Sequence, residues 1–145
     1  MRGILVVFAA LAWSAPLTAQ EASTGVPLEG FIARVARLWA AGDAGEIAAF
    51  APRGGQILLQ ISGEDAEVNA RHVAAALRAL FSERESVSIR TARVAVAGGQ
   101  PRQGFGELGW VSRLRGVTDV HRSTVYIGAV RESEGWRIRE IRVLP

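Results

Sequence analysis

One change of hydrophobic period constrains this chain more than any other feature. Up to residue 83 most apolar residues recur at spacings of three and four, and from Glu85 onward they alternate with polar ones. The first pattern belongs to helices and the second to half-buried strands. Helices therefore come early and a long antiparallel meander comes late, so the helices have to cover one face of the sheet.

Behind Pro27, the residues Leu28, Phe31, Ile32, Val35, Leu38 and Trp39 form one apolar helical stripe, and Gly42 is placed to cap its C-terminus. Asp43-Ala44-Gly45-Glu46 has capping-box spacing and opens a second helix, Ala44 to Ala51, which Pro52 ends. Arg53-Gly54-Gly55 turns the chain into a strand over 56–61, and 62–67 reads as a polar loop. Asn69 caps a third helix, with Val73, Ala76, Leu77, Leu80 and Phe81 on its stripe and an end near Glu83.

In the alternating half, Val87 and Ile89 have one parity and Val94 and Val96 the other, which calls for a bulge near Thr91 to Arg93. Gly98-Gly99-Gln100-Pro101 turns the chain into strands over 104–114, 120–131 and 136–144, the last two joined by a three-residue loop, Ser133-Glu134-Gly135. That register sets Ile127 opposite Ile141 and Val125 opposite Val143 on the buried face. It leaves Tyr126, Val130 and Ile138 on the other, among Arg142, Glu140 and Glu132. The expectation is an α+β fold in which three N-terminal helices pack on a strongly bent antiparallel sheet.

Ahead of this domain (residues 27–145), Arg2, the apolar run Ile4 to Trp13 and the small Ala19 follow the order of a secretory signal peptide. The run is well short of the roughly 20 residues that span a bilayer as a helix. Residues 1–19 are thus expected to direct export to the periplasm or the medium, leaving no membrane anchor after cleavage, and 20–26 read as a disordered leader. There is no cysteine, so neither a disulfide nor a lipidated cysteine is available and the core alone holds the domain. All 17 basic residues are Arg, interleaved with 14 acids for a net charge of +3. The sequence pI near 10.8 reflects the lack of groups titrating between histidine and arginine, not a basic block, and a nucleic-acid partner is not expected.

Three stretches carry a family resemblance: the helix ending Leu77-Arg78-Ala79-Leu80-Phe81, the strand Phe105-Gly106-Glu107-Leu108-Gly109-Trp110, and the ending Gly135-Trp136-Arg137-Ile138-Arg139-Glu140-Ile141-Arg142-Val143. With the order of elements, they resemble the nuclear transport factor 2-like fold, the cystatin-like α+β cone. Within it, they resemble a group of exported bacterial proteins catalogued as a domain of unknown function. Leu80-Phe81 stands where that group usually has two aromatics. The resemblance implies a cone with a cavity, and not a reaction.

No phosphate-cradling glycine loop, Gly-x-Ser-x-Gly elbow or His-Glu-x-x-His pair occurs. His72 lies beside the third helix's stripe and reads as a surface residue. His121 shares a face with Val125 and Ile127 near one end of the sheet, where a carboxylate such as Glu107 or Asp119 would let it act as a general base. Two distant histidines supply too few ligands for a metal, and no cofactor is expected. Trp110, Tyr126 and Trp136 sit on strands. With Arg113, Arg122 and Arg142 they would suit a ligand wall or an exposed contact face, Trp110, Tyr126 and Arg113 being the favoured binding residues. The leading expectation is an envelope domain that binds a small molecule or a partner protein. The alternative is a lyase or isomerase with His121 as base inside the cone. A third reading is a homodimer through the outer sheet face. A polar cavity holding His121 and an acid would favour the enzyme, and a cone packed shut by Val125, Ile127, Ile141 and Val143 would favour the interaction domain.

Overall fold

The computed structural model describes residues 26–145; the expected signal segment 1–19 and the leader up to residue 25 lie outside the described residues. Three helices, α1 (Leu28–Ala41), α2 (Ala44–Ala48) and α3 (Ala70–Glu83), accompany six strands. These are β1 (Ile57–Ile61), β2 (Glu64–Val68), β3 (Arg84–Gly98), β4 (Gln103–Leu114), β5 (Val120–Glu132) and β6 (Gly135–Leu144). They form one sheet in the order β2-β1-β6-β5-β4-β3.

The helix boundaries follow their caps. Gly42 adopts φ +70° and donates its N–H to Trp39 O at 3.0 Å, ending α1. The Asp43 side chain accepts from Glu46 N at 3.1 Å, and the Asn69 side chain accepts from His72 N at 3.0 Å, opening α2 and α3. α2 is shorter than its sequence suggests. After Ala48 the chain tightens, with Phe50 N donating to Ile47 O and Ala51 N to Ala48 O, both at 3.1 Å. At the other end of the helical half, Arg115 reaches back from the β4–β5 connection and donates to Ser82 O (2.9 Å) and Phe81 O (3.1 Å), satisfying the last carbonyls of α3.

The sheet departs from expectation in three places. First, the segment read as a polar loop forms β2, pairing antiparallel with β1 across a two-residue turn, Ser62-Gly63, whose φ values of 61° and 88° match the twist of a tight hairpin. Its residues, Glu-Asp-Ala-Glu-Val, are exposed or half-buried and show no alternation, so their strand character comes from the turn and from β1. Second, β1 runs parallel to β6 (Leu59 opposite Ile141), so the sheet is mixed rather than antiparallel throughout. Third, β5 and β6 keep Ile127 opposite Ile141 and Val125 opposite Val143, but a bulge follows: Gly128 opposes Glu140 and Ala129 opposes Ile138, leaving Arg139 as the extra residue. That shift turns Ile138 and Trp136 into the core instead of outward, while Tyr126 and Val130 keep the outer side. The loop is also one residue tighter than expected, since Glu132 pairs with Gly135.

β3 bulges where the parity switch requires, between Thr91 and Arg93, and again between Ser86 and Ser88 and between Val96 and Gly98. Each bulge adds twist and bends the strand. The helices pack against one face of the sheet. Ile32, Val35, Trp39, Ile47, Val73 and Leu77 are fully buried there against Leu108, Val125, Ile127 and Ile141. Edge-to-face contacts of Trp39 with Phe81 (5.1 Å) and with Trp110 (5.5 Å) fill the centre, each worth about 1 kcal/mol beyond its buried area.

α1 comes so close to β4 that only glycine fits beneath it. A Cβ on Gly106 would lie 2.6–2.9 Å from three atoms of Ile32, and one on Gly104 would lie 2.4 Å from Leu28 and 3.0 Å from the Ala95 carbonyl. Gly106→Ala is therefore expected to destabilise the domain by about 1–3 kcal/mol, the range for overpacking. Ile32→Val in the same chain should return part of the loss. Urea denaturation of the two single variants and the double variant measures both effects.

Candidate functional site

The interior of the cone is closed by its own side chains. Val125, Ile127 and Ile141 are fully buried, and a hollow opens at the end where α3 meets β3. There a cavity of about 390 Å³ is floored by Ile61, Leu80, Trp110, Val143 and Leu144, with Ser62, Ser123 and Arg84 among its polar lining residues. Trp110 is 1 % exposed, wedged edge-on against Trp39, and its indole N–H donates to Ser86 Oγ at 2.8 Å. These two contacts fix the ring as a rigid apolar floor. Arg84 is the first residue of β3, directly after Glu83 ends α3. Its guanidinium makes a long contact, 3.5 Å, to the hydroxyl of the fully buried Ser112, and no carboxylate pairs with it among the described residues. A cation half-sheltered at the rim of an apolar hollow can take an anionic group while the hollow takes a hydrocarbon body.

The residues singled out from the sequence fall on both faces of the sheet. His121 lies opposite Ser112 on β4, on the helix-facing side, but it is exposed at the rim and is not among the cavity's lining residues. Glu107 lies opposite Tyr126. The β4–β5 register is unbroken from one pair to the other and five residues separate them, so His121 and Glu107 project from opposite faces. Asp119 is exposed in the β4–β5 connection. The structure thus does not bring His121 and an acid together in a polar cavity. His72 is exposed on α3 and its ring Nδ1 lies 3.0 Å from Asn69 Oδ1. No group of three or more potential metal-ligating side chains is gathered among the described residues.

Trp110 and Tyr126, expected to act together, are also divided. Trp110 faces the helices and Tyr126 the outer surface. Arg113 shares the outer surface with Tyr126 but is held in an exposed ion pair with Glu85 (3.1 Å), whose carboxylate it draws below its usual range. The residues that sequence reasoning missed are Arg84 and Ser123. Arg84 stood at a helix–strand boundary, where neither period assigns a face, and Ser123 could be placed on the cavity wall only once the curvature of the sheet was known.

Across the outer face the Tyr126 ring stacks on Phe105 at 5.5 Å, and Arg93 lies 5.2 Å over the Phe105 ring. Arg142 bonds to Glu140 and reaches Gln60. A groove of about 440 Å³ runs beside them, with Gly128 in its floor. Burial, then the Glu140 carboxylate, push the Tyr126 phenol above its ordinary value; Glu107 adds to this and Arg142 opposes it. Tyr126 is the only tyrosine in the chain, so an absorbance titration reads it alone. Its ionisation is expected above the ~10 of an unperturbed phenol, and Glu140→Gln should bring the midpoint down. An unchanged midpoint would place Glu140 too far away to act.

No protein-family model and no curated protein matches the chain. Solved structures do. A DUF4783 family protein from Bacteroides uniformis superposes with a TM-score of 0.62 at 15 % identity, over 75 % of this chain and 91 % of its own. One from Bacteroides ovatus gives 0.62 at 14 %, over 75 % and 89 %. A domain of unknown function with a cystatin-like fold from Nostoc punctiforme gives 0.59 at 15 %, over 79 % and 72 %. At these identities the likeness is one of fold: the chain is similar to the DUF4783 proteins and has the nuclear transport factor 2-like, cystatin-like cone.

Proposed function

We propose that the protein is an exported binding domain whose ligand is a small amphipathic anion seated in the open end of the cone. The observation that carries this reading is the Arg84 guanidinium, paired with no carboxylate among the described residues, at the rim of a hollow whose floor is Trp110, Leu80 and Val143. Its volume, about 390 Å³, lies at the small end of the ~300–1,000 Å³ range of ligand pockets, which suits a single short-chain or single-ring carboxylate. Fold alone would support many activities. The preference for binding over catalysis rests on the site: its lining side chains supply the Arg84 cation, the hydroxyls of Ser62 and Ser123 and apolar walls, with no acidic side chain set beside a base.

Octanoate and octan-1-ol, which share a chain and differ in charge, test the reading by calorimetry. Octanoate should bind saturably and more tightly than the alcohol. Arg84→Met should weaken octanoate about ten-fold or more, the worth of one charge-assisted hydrogen bond, and leave the alcohol unaffected. Equal affinities for the two, or binding of neither, would overturn it.

The exported location rests on the order of charge, apolar run and small residue over residues 1–19. Expressed in a Gram-negative host, the chain should be recovered from the periplasmic extract with Gln20 as its N-terminus by mass spectrometry. Retention in the cytoplasm with residues 1–19 intact would refute export.

A further inference from the structure

Two charged side chains line the outer groove and are paired with nothing among the described residues: Glu67 on β2 and Arg139, the extra residue of the bulge in β6. Other charges on this face are matched, Arg142 with Glu140 and Arg113 with Glu85. The register keeps Glu67 and Arg139 apart. Glu67 lies opposite Leu58 on β1, and Leu58 lies opposite Glu140 on β6, the residue next to Arg139. Two strand spacings therefore put ~10 Å between the backbones that carry them. An acid and a cation that share a groove without meeting leave a gap with one sign at each end. We propose that this gap is bridged by a short peptide with free ends, its ammonium on Glu67 and its carboxylate on Arg139.

Length sets which zwitterion fits. A single amino acid carries both charges on one carbon and leaves most of the gap unspanned. A dipeptide extends to ~7 Å at ~3.3–3.6 Å per residue, and the two flexible side chains close the rest. Glu140 stands between them, but its carboxylate is taken by Arg142 and does not compete for the ammonium. The Arg139 guanidinium can hold a carboxylate with two parallel N–H donors, and the amides of Gln56 and Gln103 line the same groove, where a peptide bond needs partners.

The same row also provides for a side chain. From Glu140 it continues to Gly128 on β5 and Phe105 on β4. A Cβ on Gly128 would lie 3.0 Å from the Glu140 Cβ and 3.5 Å from the Tyr126 ring, so glycine keeps this part of the floor empty. The stacked Phe105 and Tyr126 rings wall the space beside it. A peptide whose carboxylate sits on Arg139 lays its C-terminal side chain over Gly128, against those rings, and an aromatic side chain fits there best. The groove, about 440 Å³, falls within the ~300–1,000 Å³ range of small-molecule sites.

Calorimetry with alanylphenylalanine and its two blocked forms tests the assignment. The free dipeptide should bind saturably, and N-acetylation or C-terminal amidation should each weaken it five-fold or more. Glu67→Gln should weaken the free dipeptide five-fold or more and leave the N-acetyl form unchanged. Arg139→Met should do the same to the free dipeptide and leave the amide unchanged. Both side chains are exposed, and circular dichroism checks that each variant keeps its fold. No binding of the free dipeptide, equal binding of free and blocked forms, or variants that weaken all three peptides alike would overturn the proposal. The hollow on the other face is read separately: Arg84→Met should leave dipeptide binding intact, and Arg139→Met should leave octanoate binding intact. Loss of dipeptide binding in Arg84→Met would move the peptide to that hollow and refute this site.

Discussion

Where α1 crosses β4, the strand presents glycine at the two positions that face Leu28 and Ile32. The contact has no slack, because a single added carbon would have to displace fully packed atoms. The rest of the cone follows from this close approach. It sets the depth at which Trp39 enters the sheet, and Trp39 positions Phe81 on α3 and Trp110 on β4 through perpendicular ring contacts. The rigidity of that aromatic centre, in an interior packed as densely as a crystal, makes the floor of the open end a fixed surface rather than an adaptable one.

Much of the helical half was legible because its signals are local. Proline, glycine, aspartate and asparagine stand at helix ends, and the buried stripes repeat at helical spacing. The bulge in β3 was legible too, since a parity switch within one strand has few other causes. What could not be read were features that depend on partners distant in sequence. β2 has an acidic composition poor for strands and exists because Ser62-Gly63 folds it onto β1. The parallel pairing of β1 with β6 joins segments about 80 residues apart. The Arg139 bulge reversed the side assigned to Ile138, because polar and apolar residues alternate on both sides of it and the sequence alone permits either register.

The same limit applies to the candidate sites. Assigning residues to faces by parity grouped His121 with Val125 and Ile127 correctly, but the shelter of the helices ends before His121. Glu107 and Tyr126, by contrast, fall on the far face because the β4–β5 pairing is unbroken. The sheet thus separates two chemistries: aromatic and aliphatic side chains with Arg84 at the open end and Arg131 over Trp136 on the helix side, and a mosaic of arginines, acids and amides on the other. Its two free edges are both poor templates for another strand. β2 is five residues long and acidic, and β3 is interrupted by three bulges and carries arginines.

α3 ends at Glu83 and β3 begins at Arg84, with no linker between them. A helix clamped at its C-terminus by Arg115 and continued directly by a fifteen-residue strand behaves mechanically as one bent bar, with its elbow at the wall of the open cavity. Whatever presses against Leu80 and Arg84 therefore loads both arms at once. A displacement at the elbow enters β3 directly, and the three bulges between Arg84 and the turn at residues 98–101 are the joints at which the strand can absorb it.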